Sequence, residues 1–247
     1  MRFFVSPGAV YLDKKIIEIK DKEELHHLKD VMRLKEGSSV AIFDGTGKEY
    51  SGVIKSVDKA LAVIGIDSVL DVKKRDKQFN ITLYQAIPKN TKIDFIIEKA
   101  TELGVDRVVP MITERTEAFL KSYNTSKKAE RWNKIAMVAS KQCGRVTLPV
   151  ISGITDFKDA LKDSSNNADL IIFAALDKDS LALKTVLRNR MQKNISIFIG
   201  PEGDFSPDEV SIARKNRCNI VSLGELVLRA ETAGIFVLSC LNYEYAS

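Results

Sequence analysis

The segment Ile199-Gly200-Pro201-Glu202-Gly203-Asp204-Phe205 is the clearest indication of the architecture of this chain. A continuous apolar run at residues 195–199 leads into it, which is typical of a buried strand in a parallel sheet. Directly after it, Ser206, Pro207 and Glu209 form the pattern of a helix start, with a capping Ser, a Pro at the first helical position and a Glu at the third. The stretch therefore predicts a strand, a tight glycine turn and a helix, which is the repeating unit of an α/β domain.

The same alternation of apolar runs and helical stripes extends over residues 80–247. The last helix, at residues 230–243, is apolar nearly all round and so needs burial on several sides. We expect a second copy of the chain to cover one of those sides, in a homodimer. Strands are predicted at residues 81–87, 107–112, 170–175, 195–199 and 219–222, and the other helices at 91–103 (with Thr91 and Asp94 spaced like a capping box), at 127–143 and from 206. This part of the chain is therefore predicted to be an α/β domain with a parallel sheet.

Residues 1–72 are predicted to form a smaller, β-rich unit. Strand patterns occur at residues 40–43, 50–57 and 61–66, and an Asp-Gly turn signal at Asp44-Gly45 follows the first of them. One helix is predicted at residues 22–34, where Leu25, Leu28, Val31 and Leu34 recur at a spacing of three. The mostly charged segment 71–79 is predicted to link the two parts.

Composition limits the possible partners. The chain has 38 Lys and Arg against 33 Asp and Glu, a net charge of +5 that permits an RNA partner without requiring one. Its three Cys are far apart and its two His are adjacent, so we expect no metal site. Because the first residues lack a signal-peptide pattern and no stretch of 18 uncharged apolar residues occurs, we expect no membrane contact and a cytoplasmic location.

Three segments are candidates for chemistry. The glycine turn is either a tight connection or a ligand site, because ligands of α/β sheets bind beyond the carboxyl ends of strands. Arg229 opens a helix whose dipole disfavours a cation there, so it pairs with Glu231 or meets an anionic ligand, and the pair is the commoner arrangement. The segment Lys141-Gln142-Cys143-Gly144-Arg145 places cations at a helix end, either as a stabilising feature or as a clamp for RNA phosphate.

Taken together, these segments resemble the RsmE family of the SPOUT superfamily, whose members methylate N3 of a uridine in small-subunit (16S) ribosomal RNA. The resemblance runs nearly end to end, and two of its segments, at residues 200–203 and 223–233, are specific. The remaining segments are Arg2-Phe3-Phe4, residues 27–33 with Gly37, residues 43–47, Pro88-Lys89, residues 99–104, Arg131-Trp132 and residues 142–145.

The resemblance implies a PUA-like β-barrel at residues 1–72 and a knotted SPOUT methyltransferase domain at residues 80–247, which binds S-adenosyl-L-methionine (SAM) and forms a homodimer. The partner would be 16S ribosomal RNA or the small ribosomal subunit. The implied cofactor-binding residues are Ala175, Leu176, Ile199, Gly200, Glu202, Gly203, Leu223, Gly224, Val227, Leu228, Arg229 and Thr232.

Uridine-N3 methylation, which the resemblance implies, also leads to a hypothesis about the residues that act on the RNA. Arg229 would stabilise charge on the uridine ring or position a phosphate, and Glu231 would act as a base or, more in keeping with its position, orient Arg229. Phosphate contacts are expected from Arg2, Arg33, Lys89 and Arg145.

The sequence departs from the family pattern at residues 141, 143 and 204. Asp204 stands where the family usually has Gly, which adds a carboxylate near the cofactor. Lys141 and Cys143 stand where the family usually has Glu and Ser, and we expect this to make the RNA-facing surface more basic. Two other functions stay open: a related methyltransferase with another RNA target, such as ribose 2′-O, and a non-catalytic RNA-binding assembly factor, which only Asp204 favours.

Overall fold

The computed structural model describes residues 2–72, 79–89, 92–116, 125–188 and 192–245. The predicted capping residue Thr91 and most of the charged segment 71–79 lie outside these residues. Contacts divide the chain into two compact units, Met1–Asp76 with Ser140–Leu148, and Lys77–Ala139 with Pro149–Ser247.

The first unit is a six-stranded sheet in the order β1-β4-β5-β6-β3-β2, in which β1 and β4 are parallel and the other pairs antiparallel. Alternate residues of its strands, such as Ile17, Ile42 and Ile64, are fully buried and form its core. The strands are β1 (Arg2–Phe4), β2 (Val10–Tyr11), β3 (Ile16–Ile19), β4 (Ser39–Phe43), β5 (Lys48–Val57) and β6 (Ala62–Asp71).

The helix predicted at residues 22–34 is shorter than expected. Helix α1 spans Lys22–His26 and continues as a π-type turn at His27–Val31, where the Met32 amide donates to the His27 carbonyl. Leu25 and Leu28 are buried as predicted, but Val31 is 57% exposed. The wider turn shifts the register, so that Val31 leaves the buried stripe.

A segment distant in sequence completes the first unit. The Gly47 amide donates to the Val146 carbonyl (3.2 Å), and the Leu148 amide to the Gly45 carbonyl (3.1 Å). Lys141 Nζ lies 2.7 and 2.9 Å from the two carboxylate oxygens of Glu24, which is buried. Lys141 is therefore held by an ion pair within this unit, and the expectation of a more basic RNA-facing surface stays a prediction.

The second unit contains an eight-stranded sheet in the order β10-β8-β7-β13-β11-β14-β12, with β9 paired to β8, and every pair is parallel. The predicted α/β domain with a parallel sheet is therefore confirmed. Its strands are β7 (Asn80–Ala86), β8 (Arg107–Ile112), β9 (Val150–Ile151), β10 (Thr155–Asp156), β11 (Leu170–Ala174), β12 (Leu181–Ala182), β13 (Asn194–Ile199) and β14 (Asn219–Ser222). Its helices are α2 (Lys92–Glu102), α3 (Thr125–Cys143, whose last turn belongs to the first unit), α4 (Phe157–Asn167), α5 (Leu183–Leu187), α6 (Pro207–Lys215) and α7 (Ala230–Tyr245).

Helix α6 begins as the sequence predicts. Ser206 Oγ accepts from the Glu209 amide (3.2 Å), and Glu209 Oε2 accepts from the Ser206 amide (2.9 Å), which completes the capping box. Glu209 Oε1 also accepts from the Glu114 amide (3.0 Å). The cap therefore fixes the helix start just after the glycine turn.

Helix α7 is buried on one side only within a single chain. Val237, Leu238 and Leu241 are fully buried, and the helix packs against α2 and β13. Phe236 is 39% exposed and Tyr243 is 89% exposed. No helix within the described residues is long and apolar enough to cross a membrane.

Candidate active site

The loops that follow β11, β13 and β14 enclose a cavity of about 500 Å³. Parallel pairing brings them together, because Ala174 of β11 is in register with Ile199 of β13 on one side and Val221 of β14 on the other. The cavity therefore lies beyond the carboxyl ends of adjacent strands, where α/β sheets bind ligands.

The glycine turn after β13 forms with Asp204 in left-handed backbone, at φ 61°. Asp204 Oδ1 accepts from the Phe205 amide and Oδ2 from the Leu176 amide, both at 2.8 Å. The carboxylate thus joins the turn after β13 to the loop after β11. Asp and Asn tolerate this backbone better than most residues, so Asp204 maintains the turn.

Gly200 is required by a close approach. A Cβ atom there would lie 3.1 and 3.2 Å from ring carbons of Phe205 and 3.3 Å from Asp204 Oδ1. Phe205 cannot easily give way, because it is buried with its ring centroid 4.2 Å from that of Phe173. A side chain at position 200 would therefore disturb the cavity wall.

The loop after β14 supplies the apolar wall. Gly224 has φ 131°, a conformation that side-chain-bearing residues rarely adopt, and its amide donates to Ser222 Oγ (3.3 Å). Leu226 and Val227 are 81% and 72% exposed, although both line the cavity. The loop after β14 thus exposes apolar side chains beside the cavity, and its conformation depends on Gly224.

Glu231 pairs with Lys92 rather than with Arg229. Lys92 Nζ lies 3.2 Å from Glu231 Oε1 and 3.7 Å from Glu202 Oε1, and the Lys89 amide donates to the same Glu202 oxygen (3.1 Å). Burial raises the pKa of Glu231, but hydrogen bonds from its own backbone amide and from Lys92, together with the charges of Lys92 and Arg229, outweigh it and hold that pKa below its usual value. Glu231 is therefore ionised at neutral pH. Lys92 lies outside the cavity lining but beside the lining residue Glu202, and sequence reasoning missed it.

Most of the predicted cofactor-binding residues line the cavity: Ala175, Leu176, Ile199, Gly200, Glu202, Leu223, Gly224, Val227, Leu228 and Arg229. Gly203 does not, because its carbonyl accepts from Arg115 and its Cα faces that side chain. Thr232 does not either, since it lies on the exposed face of α7. Lining residues beyond the predicted set are Ala174, Asp177, Lys178, Ser180, Pro201, Asp204, Val221, Ser222, Leu226, Ala230 and Ala233. Only residues that adjoin the predicted ones in sequence could have been anticipated.

The four residues predicted to contact RNA differ in exposure. Arg33 and Lys89 are exposed, and Arg145 is half-buried, with Nε donating to the Thr147 carbonyl (2.6 Å). The predicted phosphate contact by Arg2 is wrong, because its guanidinium nitrogens are buried and its Cζ lies 4.5 Å from the Phe43 ring centroid. Its Nη2 is 2.9 Å from Glu49 Oε2 without hydrogen-bond geometry, so the pair is mainly Coulombic.

Metal ligands are not gathered in any cluster of three or more His, Cys, Asp or Glu side chains within the described residues. The arrangement of the cavity suits an organic ligand instead: apolar walls, backbone amides and carbonyls at strand ends, and a few charged groups.

Two solved structures resemble this one over nearly their whole length. A methyltransferase from Legionella pneumophila, solved with bound SAM, has a TM-score of 0.86 at 28% identity, covering 98% of this chain and 96% of that one. A ribosomal RNA small subunit methyltransferase E from Neisseria gonorrhoeae, also bound to SAM, has a TM-score of 0.84 at 26% identity, covering 99% and 97%.

Two domain families match the sequence: an RNA methyltransferase domain at residues 75–242 and an RNA methyltransferase PUA domain at residues 19–67. With the parallel sheet and its cavity, these matches define an RNA methyltransferase that carries a PUA domain. The ribosomal RNA small subunit methyltransferase E of Rickettsia conorii is 30% identical over 239 residues, 94% of this chain and 93% of that protein, and that of Aquifex aeolicus is 34% identical over 79% and 81%. The chain belongs to the ribosomal RNA small subunit methyltransferase E family, as the sequence resemblance predicts.

Proposed function

We propose that this protein methylates N3 of a uridine in 16S ribosomal RNA, with SAM bound in the cavity beyond β11, β13 and β14. The observation that carries the proposal is the cavity itself, which is intact and lies within the residues that match the RNA methyltransferase domain. A ribosomal substrate also favours a cytoplasmic location.

The cavity suits SAM in size and chemistry. Its volume of about 500 Å³ lies within the range for sites of drug-sized ligands. Leu223, Val227 and Leu228 offer an apolar slot for adenine, and the backbone of the three loops offers hydrogen bonds to its edge. When bound, SAM supplies a methyl group activated by a sulfonium, a chemistry that needs no metal.

Arg229 is the residue best placed to act on the uridine. It is exposed and lines the cavity, so its guanidinium can meet both an RNA phosphate and a ring oxygen. Uridine N3 carries a proton and is a weak nucleophile, so a cation that stabilises negative charge on the ring lowers the barrier.

Glu231 is better suited to positioning Arg229 and Lys92 than to accepting the proton of uridine N3. Its lowered pKa makes it a weak proton acceptor, and it lies outside the cavity lining. Its carboxylate instead holds Lys92 at 3.2 Å and places a negative charge near Arg229. We propose that Glu231 positions these two cations.

The homodimer would cover the exposed side of α7. Phe236 and Tyr243 lie on that side, and the exposed Leu226 and Val227 belong to the neighbouring loop after β14. An apolar face of this kind is typical of protein–protein contact.

We propose phosphate contacts for Arg33, Lys89 and Arg145. We propose none for Arg2, because its guanidinium nitrogens are buried.

The assembly-factor alternative loses its support, because Asp204 maintains the turn instead of disrupting it.

The proposed function is tested by incubating the protein and its Arg229→Ala variant with labelled SAM and with small subunits that lack the modification. We expect label in 16S RNA from the wild type, and a loss of about 100- to 1,000-fold in the variant, the range for removal of one charge-stabilising group. SAM binding without methyl transfer by the wild type would contradict the proposed function.

A further inference from the structure

The Asp204 carboxylate has acceptor capacity left over beside the cavity. An ionised carboxylate offers about four lone-pair sites, and Asp204 uses one on each oxygen for the Phe205 and Leu176 amides. The residue lines the cavity and is half-buried. Its negative charge is therefore held rigidly at the wall while part of it still faces the ligand space.

The other carboxylates of the cavity wall have cationic partners. Asp177 forms an ion pair with Arg214, and Glu202 lies 3.7 Å from Lys92 Nζ. For Asp204, the described residues show hydrogen bonds from backbone amides only. Its charge is therefore the least compensated of the three.

We propose that Asp204 makes the cavity prefer the positively charged cofactor SAM over the product S-adenosylhomocysteine (SAH). This inference rests on the proposed function, which places SAM in this cavity. SAM and SAH differ by the transferred methyl group, and with it the sulfonium charge, so SAM has one net positive charge and SAH has none at neutral pH. A fixed carboxylate at the wall interacts with the amino and carboxylate groups that both ligands share, and in addition attracts the sulfonium that only SAM has.

This preference would favour product release. Groups that bind adenine, ribose and the amino-acid end hold SAM and SAH equally, so they do not help the product to leave. The Asp204 charge stabilises the complex before transfer and ceases to do so when the sulfonium becomes a thioether. The charge at position 204 thus raises the affinity for substrate relative to product.

Calorimetric titration of the dialysed wild type and of Asp204→Asn with SAM and with SAH tests the proposal. Asn keeps the size, the tolerance of left-handed backbone and one acceptor oxygen, so it retains one of the two hydrogen bonds from backbone amides while it removes the charge. We expect Asp204→Asn to weaken SAM binding about three- to tenfold, as for one partly screened charge pair, and to change SAH binding by less than about twofold. Asp208→Asn, which removes an exposed carboxylate outside the cavity lining, is the matched control and should change neither ligand.

Each outcome of these titrations has a distinct meaning, and a salt series with the wild type adds an independent test. If Asp204→Asn weakens both ligands equally, or neither, the charge preference is refuted even though the cavity binds SAM. If the wild type binds neither ligand, the proposed cofactor site fails instead. If the variant does not fold, the salt dependence of wild-type binding tests the proposal. The ratio of the affinity for SAM to that for SAH should fall as the salt concentration rises, because salt screens the Asp204 charge. A constant ratio would overturn the proposal.

Discussion

Gly224→Ala should damage the cofactor site without damaging the fold. The added Cβ would meet no atom within 4 Å, so the substitution introduces no clash. It does introduce strain, because φ 131° is a conformation that alanine rarely adopts, and holding a residue in such a region costs about 1–3 kcal/mol. The effect is therefore purely one of backbone conformation.

The strain should appear in binding rather than in stability. Leu226 and Val227 are largely exposed, so the loop can relax into another conformation with little loss of packing. SAM binding must then restore the original conformation, and about 1–3 kcal/mol corresponds to about a 5- to 150-fold weaker dissociation constant. The melting temperature should change by no more than about 2 °C, since most strain is relieved in the free protein.

Titration calorimetry and thermal unfolding check both parts of this prediction. Gly153→Ala is the matched control, because Gly153 is exposed, has no atom near its would-be Cβ and lacks a positive φ. It should leave SAM binding unchanged. Wild-type affinity in Gly224→Ala would show that the loop after β14 does not need this conformation to bind SAM, and a large fall in melting temperature would show that the loop supports the fold.

Three further predictions concern other parts of the molecule. Lys92→Met should lower methyl transfer about tenfold or more with little change in SAM affinity, because Glu231 loses its cation. Lys99→Met is the matched control, since Lys99 has the same 32% side-chain exposure on the same helix but pairs with Glu98 and Glu102, and it should have no effect in the same kinetic assay. Equal loss in both variants would rule out a specific role for Lys92. Phe236→Glu should yield a monomer by light scattering if the wild type is a dimer, whereas Phe95→Glu, at a similarly exposed ring, should not; a dimeric Phe236→Glu would place the interface elsewhere. Asp44→Asn should remove about 1–3 kcal/mol of stability at neutral pH and flatten the acid limb of the stability profile in urea unfolding from pH 3 to 7, and an unchanged profile would mean that this carboxylate contributes nothing.

The sign of the Asp44 prediction follows from its surroundings. Burial raises the pKa of Asp44, but hydrogen bonds from Thr46 and Tyr50 and from the backbone outweigh burial and lower it. A lowered pKa in the folded state means that the stabilisation is present above the unfolded-state pKa of about 4 and is lost as pH falls through the folded value. The same carboxylate raises the pKa of Tyr50, together with burial, to about 12.

Local chemistry was readable from the sequence. The capping box at Ser206 and Glu209 and the apolar run of β13 depend on residues a few positions apart, so the pattern alone predicts them. The three cofactor loops were located through the family resemblance. Parallel pairing then explains why they meet, since register aligns the ends of β11, β13 and β14.

Long-range pairing was not readable. Lys92 and Glu231 are far apart in sequence, and nothing local to either residue indicates the other. Contacts between residues far apart in sequence also place residues 140–148 in the first unit and pair Lys141 with buried Glu24. Arg2 also looked like a surface cation, because only the folded strand β1 shows that its guanidinium lies over Phe43.

The position of the transferred methyl group is the most direct test of uridine-N3 methylation. Small subunits lacking the modification would be incubated with the protein and SAM carrying a deuterated methyl group, and the RNA digested to nucleosides for mass spectrometry. We expect labelled 3-methyluridine at one site in 16S RNA and no label without the protein. Label on a ribose 2′-oxygen, or no label from a protein that binds SAM, would contradict it.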